Sequence, residues 1–168
     1  AGRTWRWEYD ALGRVTIQTD PLGNTEYFGY DLVGNRTLTT NARGETTEFT
    51  FDTMNRLVGA QNLAPDGSVE ISSFTYDPEG RELSRSGPSG VTTKTWDSVG
   101  NLVFESFSIS GMQDNPAKIW QFNYDLAGNR TSAIDPEGER FEYRFDPLNR
   151  IIGLYSSKGR ESAQYQYD

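Results

Sequence analysis

Carboxylates set the chemistry open to this 168-residue chain, which carries 24 Asp and Glu, 16 Lys and Arg, and neither His nor Cys. Their absence removes disulfides, thiolate zinc sites, cysteine nucleophiles and every Ser-His-Asp arrangement. Carboxylate dyads and oxygen-ligand metal sites remain open. Asp135, Glu137 and Glu139 form the densest acidic group, with Asp66 and Asp114 in other loops. Calcium takes such oxygens, but the chain has no EF-hand spacing and no GGxGxD nonapeptide. These acids therefore read as solvated turn residues, and no metal or cofactor is expected. The net charge of -8 argues against a nucleic-acid partner.

Most other aspartates follow an aromatic residue. The pairs are Tyr9-Asp10, Tyr30-Asp31, Phe51-Asp52, Tyr76-Asp77, Trp96-Asp97, Tyr124-Asp125, Phe145-Asp146 and Tyr167-Asp168, spaced by 21, 21, 25, 20, 28, 21 and 22 residues. Three residues after each of the first seven Asp comes Gly13, Gly34, Asn55, Gly80, Gly100, Gly128 or Asn149, and the next residue is always Arg or Asn. Asp at the first position of a type I turn can accept bonds from the backbone ahead of it. Gly or Asn at the fourth can adopt positive φ and close a hairpin with a bulge. The aspartates thus read as turn residues, not catalysts. A second turn family is interleaved about ten residues on, at 20–23, 41–44, 87–90, 135–138 and 156–159.

The strands between these turns must carry the pattern. Two residues before each aromatic-Asp pair's aromatic come Trp7, Phe28, Phe49, Phe74, Lys94, Phe122, Tyr143 and Tyr165. With Tyr9, Tyr30, Phe51, Tyr76, Trp96, Tyr124, Phe145 and Tyr167 they form an aromatic ladder of period two, the signature of a strand. The intervening residues carry no large apolar side chain. With a one-residue bulge at each turn, Ile17 and Phe104 share the aromatic side, while Leu154 lies on the other. Phe49 then faces Gly59 and Tyr143 faces Gly153, each ring covering bare backbone. Tyr30 faces Arg36 and Tyr124 faces Arg130, as cation–π pairs. The expected fold is all-β: repeated antiparallel hairpins of about 21 residues, roughly fourteen to sixteen strands, in a long twisted and curled sheet. The whole of 1–168 reads as one such segment, cut from a larger protein, with longer loops near 60–73 and 105–118.

The repeated aromatic-Asp-x-x-Gly-Arg/Asn pattern resembles the YD repeats of the Rhs (rearrangement hot spot) family. Insecticidal toxin-complex C subunits, wall-associated bacterial proteins and animal teneurins are similar. The resemblance covers nearly the whole chain and implies a sheet spiralling into a hollow shell. In bacterial members that shell encloses a toxic C-terminal segment until delivery. The implied role is structural, in a secreted or cell-surface bacterial protein, with the rest of the shell and the enclosed segment as partners. Members self-cleave at a DPxGL-type plug. Here Asp20-Pro21, Asp77-Pro78 and Asp135-Pro136 lie in phase with the turns, and Asn24, Arg81 and Glu139 stand where Leu is needed. They read as turns, so no enzyme activity is expected. The alternative is an adhesive or carbohydrate- or peptide-binding module using Trp5, Trp7, Trp96 and Trp120. No apolar run is long enough to span a membrane as a helix. Unpaired outer strands predict edge-to-edge self-association.

Overall fold

The computed structural model describes residues 4–111, 116–159 and 162–168. Asp114 therefore lies outside the described residues. Among the described residues, fifteen strands follow one another with sheet order equal to chain order, as the hairpin reading expected. Among the described residues there is no helix. Two compact units are distinguished: residues up to 81 with 85–88, and 82–84 with 89–168. The strand β8 (Glu82–Gly87) is divided between them.

In the first unit, β1 (Arg6–Tyr9), β2 (Val15–Thr19), β3 (Thr25–Tyr30), β4 (Arg36–Thr40), β5 (Thr46–Phe51), β6 (Leu57–Leu63) and β7 (Val69–Tyr76) pair in succession, all antiparallel. The second unit repeats this with β9 (Gly90–Trp96), β10 (Leu102–Ser108), β11 (Lys118–Tyr124), β12 (Arg130–Ile134), β13 (Arg140–Phe145), β14 (Ile151–Ser156) and β15 (Ser162–Gln164). Among the described residues of each unit, strands touch only their sequence neighbours, and no second layer packs on the sheet.

Two sequence expectations are corrected. The stretch 60–73 is not a longer loop: Ala64 N–H donates to Ser68 C=O and Gly67 N–H to Ala64 C=O, a tight turn. The extra residues lengthen the strands instead, giving β6 seven residues and β7 eight. Pro65 and Asp66 supply the turn chemistry. Around 105–118, β10 runs on through Ser108 and β11 begins at Lys118, so part of that stretch is strand.

The register is the second correction. Phe51 pairs with Leu57, but the next pair is Thr50 with Gly59, and Phe49 faces Ala60. Likewise Arg144 faces Gly153, and Tyr143 faces Leu154. An extra residue bulges from the outgoing strand, one pair in from the turn, at Thr16, Thr37, Val58, Val103, Thr131 and Ile152. A one-residue slip changes the face of everything beyond it. Ile17 therefore pairs with Glu8 and Phe104 with Thr95, away from the aromatic side, while Leu154 joins it. A ring does cover Gly153, but it belongs to Tyr155: a Cβ on Gly153 would lie 2.7 Å from Tyr155 Cε2.

With this register the rings share one face within each unit. In the first, Trp7 lies across from Gln18, Phe28 from Thr39 and Phe49 from Ala60, and Ala60 pairs in turn with Ser72, two residues before Phe74 on the same strand. In the second, Phe122 and Phe141 flank Ala133 on adjacent strands. Ala133 is the one buried apolar side chain among the described residues, at 3% exposure. Ordinary domains bury a shared core between two layers. Here cohesion must come from along the sheet.

Candidate functional site

The first-family turns build the most regular polar geometry in the chain. At Asp10 the backbone N–H donates to Arg14 C=O (2.9 Å) and Gly13 N–H returns to Asp10 C=O (3.0 Å). Asp10 Oδ1 accepts the N–H groups of Leu12 and Arg14, both at 2.9 Å, leaving Oδ2 for the side chain four residues on. Asp31, Asp52, Asp77, Asp97, Asp125 and Asp146 sit in the same backbone frame. Gly13, Gly34, Gly80, Gly100 and Gly128 hold positive φ there, as do Asn55 (φ 60°) and Asn149 (φ 59°). Each carboxylate is occupied inside its turn and is poorly placed for acid catalysis.

The residue after the left-handed position joins one hairpin to the next. Arg14 Nε donates to Asp10 Oδ2 (2.7 Å), while its Nη1 donates to Asp31 C=O in the following repeat (2.8 Å). The guanidinium lies 4.6 Å from the Tyr30 ring centroid, and the Tyr30 hydroxyl donates to Val15 C=O (2.8 Å). Arg56 repeats every element: Asp52 Oδ2 at 2.8 Å, Asp77 C=O at 2.8 Å and the Tyr76 ring at 4.9 Å, with Tyr76 hydroxyl on Leu57 C=O (2.8 Å). Arg150 binds Asp146 Oδ2 (2.7 Å) and stacks 4.5 Å from Tyr167, whose hydroxyl reaches Ile151 C=O (2.7 Å). Trp96 makes the equivalent bond through Nε1 to Glu82 C=O (2.9 Å).

A second brace appears where Asn takes the place of Arg. Asn35 Nδ2 donates both to Asp31 Oδ2 (2.9 Å) and to Asn55 Oδ1 of the next repeat (3.0 Å). Asn129 does the same with Asp125 Oδ2 (3.0 Å) and Asn149 Oδ1 (2.9 Å). This explains why Asn, not Gly, occupies the left-handed position at 55 and 149: its side chain receives the brace. The repeats entered this way begin with Phe51 and Phe145, which lack the hydroxyl. Arg36 and Arg130 instead fold over Phe28 (4.5 Å) and Phe122 (4.3 Å), and lie farther from Tyr30 and Tyr124, at 5.9 and 5.8 Å. The Tyr30–Arg36 and Tyr124–Arg130 pairings hold in register, but the nearer ring is the phenylalanine.

These bonds hold the turn carboxylates ionised. Backbone N–H bonds from Arg14, Arg56 and Arg150 chiefly lower the pKa of Asp10, Asp52 and Asp146. At Asp77 desolvation pushes upward, but hydrogen bonds from Arg81 outweigh it and leave the group below its ordinary value. The acidic group of the second turn family is also engaged. Asp135 Oδ1 accepts Glu137 and Glu139 N–H (3.0 and 2.7 Å), and Glu139 binds the Ser156 hydroxyl and, at 3.7 Å, Lys158. Asp66 caps Ser68 N–H (2.9 Å). Among the described residues, no acidic cluster has metal-site geometry. The tryptophans are partly used by the sheet: Trp120 stacks on Phe122 at 6.4 Å, and Trp5 on Trp7 at 6.1 Å.

The fold and its braces define a class: a hairpin-repeat sheet strengthened between neighbours and not around a core. Comparisons agree. The family model described as RHS Repeat matches residues 1–25. The chain is 28% identical over 104 residues to a double-stranded DNA deaminase toxin A of Burkholderia cenocepacia (strain H111), covering 56% of this chain and 7% of that protein. It is 30% identical over 74 residues to a probable deoxyribonuclease RhsB of Dickeya dadantii (strain 3937), covering 44% and 5%. The crystal structure of TcdB2-TccC3 matches 95% of this chain and 9% of that one, with a TM-score of 0.78 and 16% identity, a likeness of fold. The chain is thus similar to Rhs-repeat proteins over part of its sequence, and to a TcdB2-TccC3 chain in fold. It spans less than a tenth of the length of these relatives.

Proposed function

We propose that this segment is a stretch of wall in an Rhs-type shell that encloses a toxic C-terminal segment of its parent protein. One observation carries the reading: consecutive hairpins are tied through backbone carbonyls by Arg14, Arg56 and the tyrosine hydroxyls, while among the described residues Ala133 is the one buried apolar side chain. Such a sheet resists parting of its strands, as a barrier requires, and lacks the enclosed core of a free-standing domain. The wall itself turns over no substrate, and curls with its neighbours to close around the cargo. The name of one relative, a DNA deaminase toxin of a bacterium, supports a bacterial toxin as the parent, and delivery outside the cell is part of the proposal. The adhesive alternative gains less, since Trp96 and Trp120 are spent on contacts within the sheet.

Limited proteolysis of the full-length parent tests this. The enclosed segment should resist protease when the wall is intact and become cleavable when Arg56→Ala and Tyr76→Leu are combined. Cleavage in the intact parent as fast as in the isolated segment would overturn the proposal.

A further inference from the structure

The phrases YDLVGNR at 30–36 and YDLAGNR at 124–130 differ at one letter, so each is a control for the other. Tyr30 lies between two guanidinium groups, Arg14 of the preceding repeat at 4.6 Å and Arg36 of its own at 5.9 Å. Arg14 also donates to Asp31 C=O at 2.8 Å. Tyr124 is set the same way: Arg130 stands at 5.8 Å in place of Arg36, and the Tyr124 hydroxyl donates to Leu102 C=O at 2.9 Å. The counterpart of Arg14, however, is Asn101. Its amide reaches Asp97 Oδ2 (2.9 Å), and the following turn presents Gly128 where Asn55 and Asn149 present an acceptor. The Tyr124 hydroxyl ties this joint, but among the described residues neither an arginine nor an asparagine side chain bridges it. A cleft of about 500 Å³ lies there, lined by Asn101, Val103, Phe122, Tyr124, Asp125 and Leu126 among others.

We propose that this cleft binds an arginine side chain carried by another polypeptide segment. The chain itself supplies the template, because Arg14, Arg56 and Arg150 each lay a guanidinium against the equivalent tyrosine ring. At the cleft the same receiving groups await it. Asp125 C=O accepts only Gly128 N–H (3.1 Å) among the described residues, although in the equivalent Asp31 and Asp77 the carbonyl also accepts an arginine Nη1. The Tyr124 ring offers a face for stacking, and Val103 and Phe122 offer apolar surface for the methylene stem. The carboxylates of Asp97 and Asp125 add negative charge to the lining. A planar fork suits a carbonyl and a ring face together, which an ammonium group does not. The cleft is larger than one guanidinium needs, so the arginine arrives with part of a peptide backbone.

Nuclear magnetic resonance of the 168-residue chain, titrated with N-acetyl-arginine methylamide, tests the site. A lone side chain should bind with a dissociation constant of about 1 mM or weaker. Shifts are expected at the Tyr124 ring and the Asp125 and Gly128 amides. The lysine analogue should need several-fold more ligand for the same shifts. Asn101→Arg supplies the guanidinium from within and should abolish the response. If that variant fails to fold, Tyr124→Leu should abolish it, while Tyr124→Phe, which keeps the ring, retains it. Absence of localised shifts, an equal response to the lysine analogue, or a response surviving both Asn101→Arg and Tyr124→Leu would overturn the proposal.

Discussion

Replacing Arg56 by Ala removes three interactions at once, and their sizes can be worked from the geometry. The Asp52 pair is partly exposed, at 25% and 22% of its side chains, and contributes roughly 0.2–1 kcal/mol. The charged hydrogen bond to Asp77 C=O is worth about 1.5 kcal/mol, and stacking on Tyr76 about 0.5–1 kcal/mol. These terms share one side chain and do not add fully, so the expected cost is about 2 kcal/mol. Because repeat sheets open locally, native-state hydrogen exchange is a better reading than global unfolding. The Asp77 N–H, bonded to Arg81 C=O, and the Gly80 N–H, bonded to Asp77 C=O, report the joint. Their exchange should accelerate roughly thirtyfold. The exposed Arg43→Ala serves as control and should change stability by less than about 0.5 kcal/mol. Equal effects from the two substitutions, or an Arg56→Ala effect unchanged when Tyr76 is already Leu, would refute the brace.

The other predictions concern single turns, pH and edges. Asn149→Gly should be destabilising while Asn129 is present and neutral or stabilising in an Asn129→Ala background, read by a double-mutant cycle in urea; equal effects in both would deny the Asn brace. Gly90→Ala should cost far more than Gly13→Ala. A Cβ on Gly90 would lie 2.1 Å from Ser108 C=O, whereas Gly13 has only its positive φ to lose, worth roughly 1–2 kcal/mol; similar melting temperatures would contradict this. Asp10, Asp52 and Asp146 have lowered folded pKa values, so the unfolded chain binds more protons in acid. Their contribution is complete above the ordinary value of 3.8 and is lost as pH falls through the folded values. Melting temperature should therefore drop below about pH 4, and a flat profile there would be contrary. The isolated segment should also associate through its outer strands, and strict monomers in light scattering at high concentration would count against that.

The turns were legible because their chemistry is local. Asp, then Gly or Asn three residues on, then Arg or Asn, is what a hairpin of this shape needs, and alternation in the incoming strands marked the aromatic face. The second bulge was not legible. It carries no glycine, and only the structure shows that Thr16, Thr37, Val58, Val103, Thr131 and Ile152 share it; their common β-branching is the one signal available. Missing it displaced Phe49 and Tyr143 by one partner. The turn at 64–67 was hidden because a longer spacing was read as loop when it was longer strand. The braces join residues about twenty apart, so Arg14 and Tyr30 gave no local sign of their contact. In hindsight Asn35 and Asn129, each followed one repeat later by Asn in the left-handed position, were the visible half of one brace.

The central claim is that this chain is wall, closed with its neighbours around another part of the parent protein. Electron cryomicroscopy of the full-length parent tests it most directly. The account predicts that these strands continue into flanking repeats in the same order, with one face toward an enclosed segment. A parent in which both faces of this sheet lie open to solvent would contradict it.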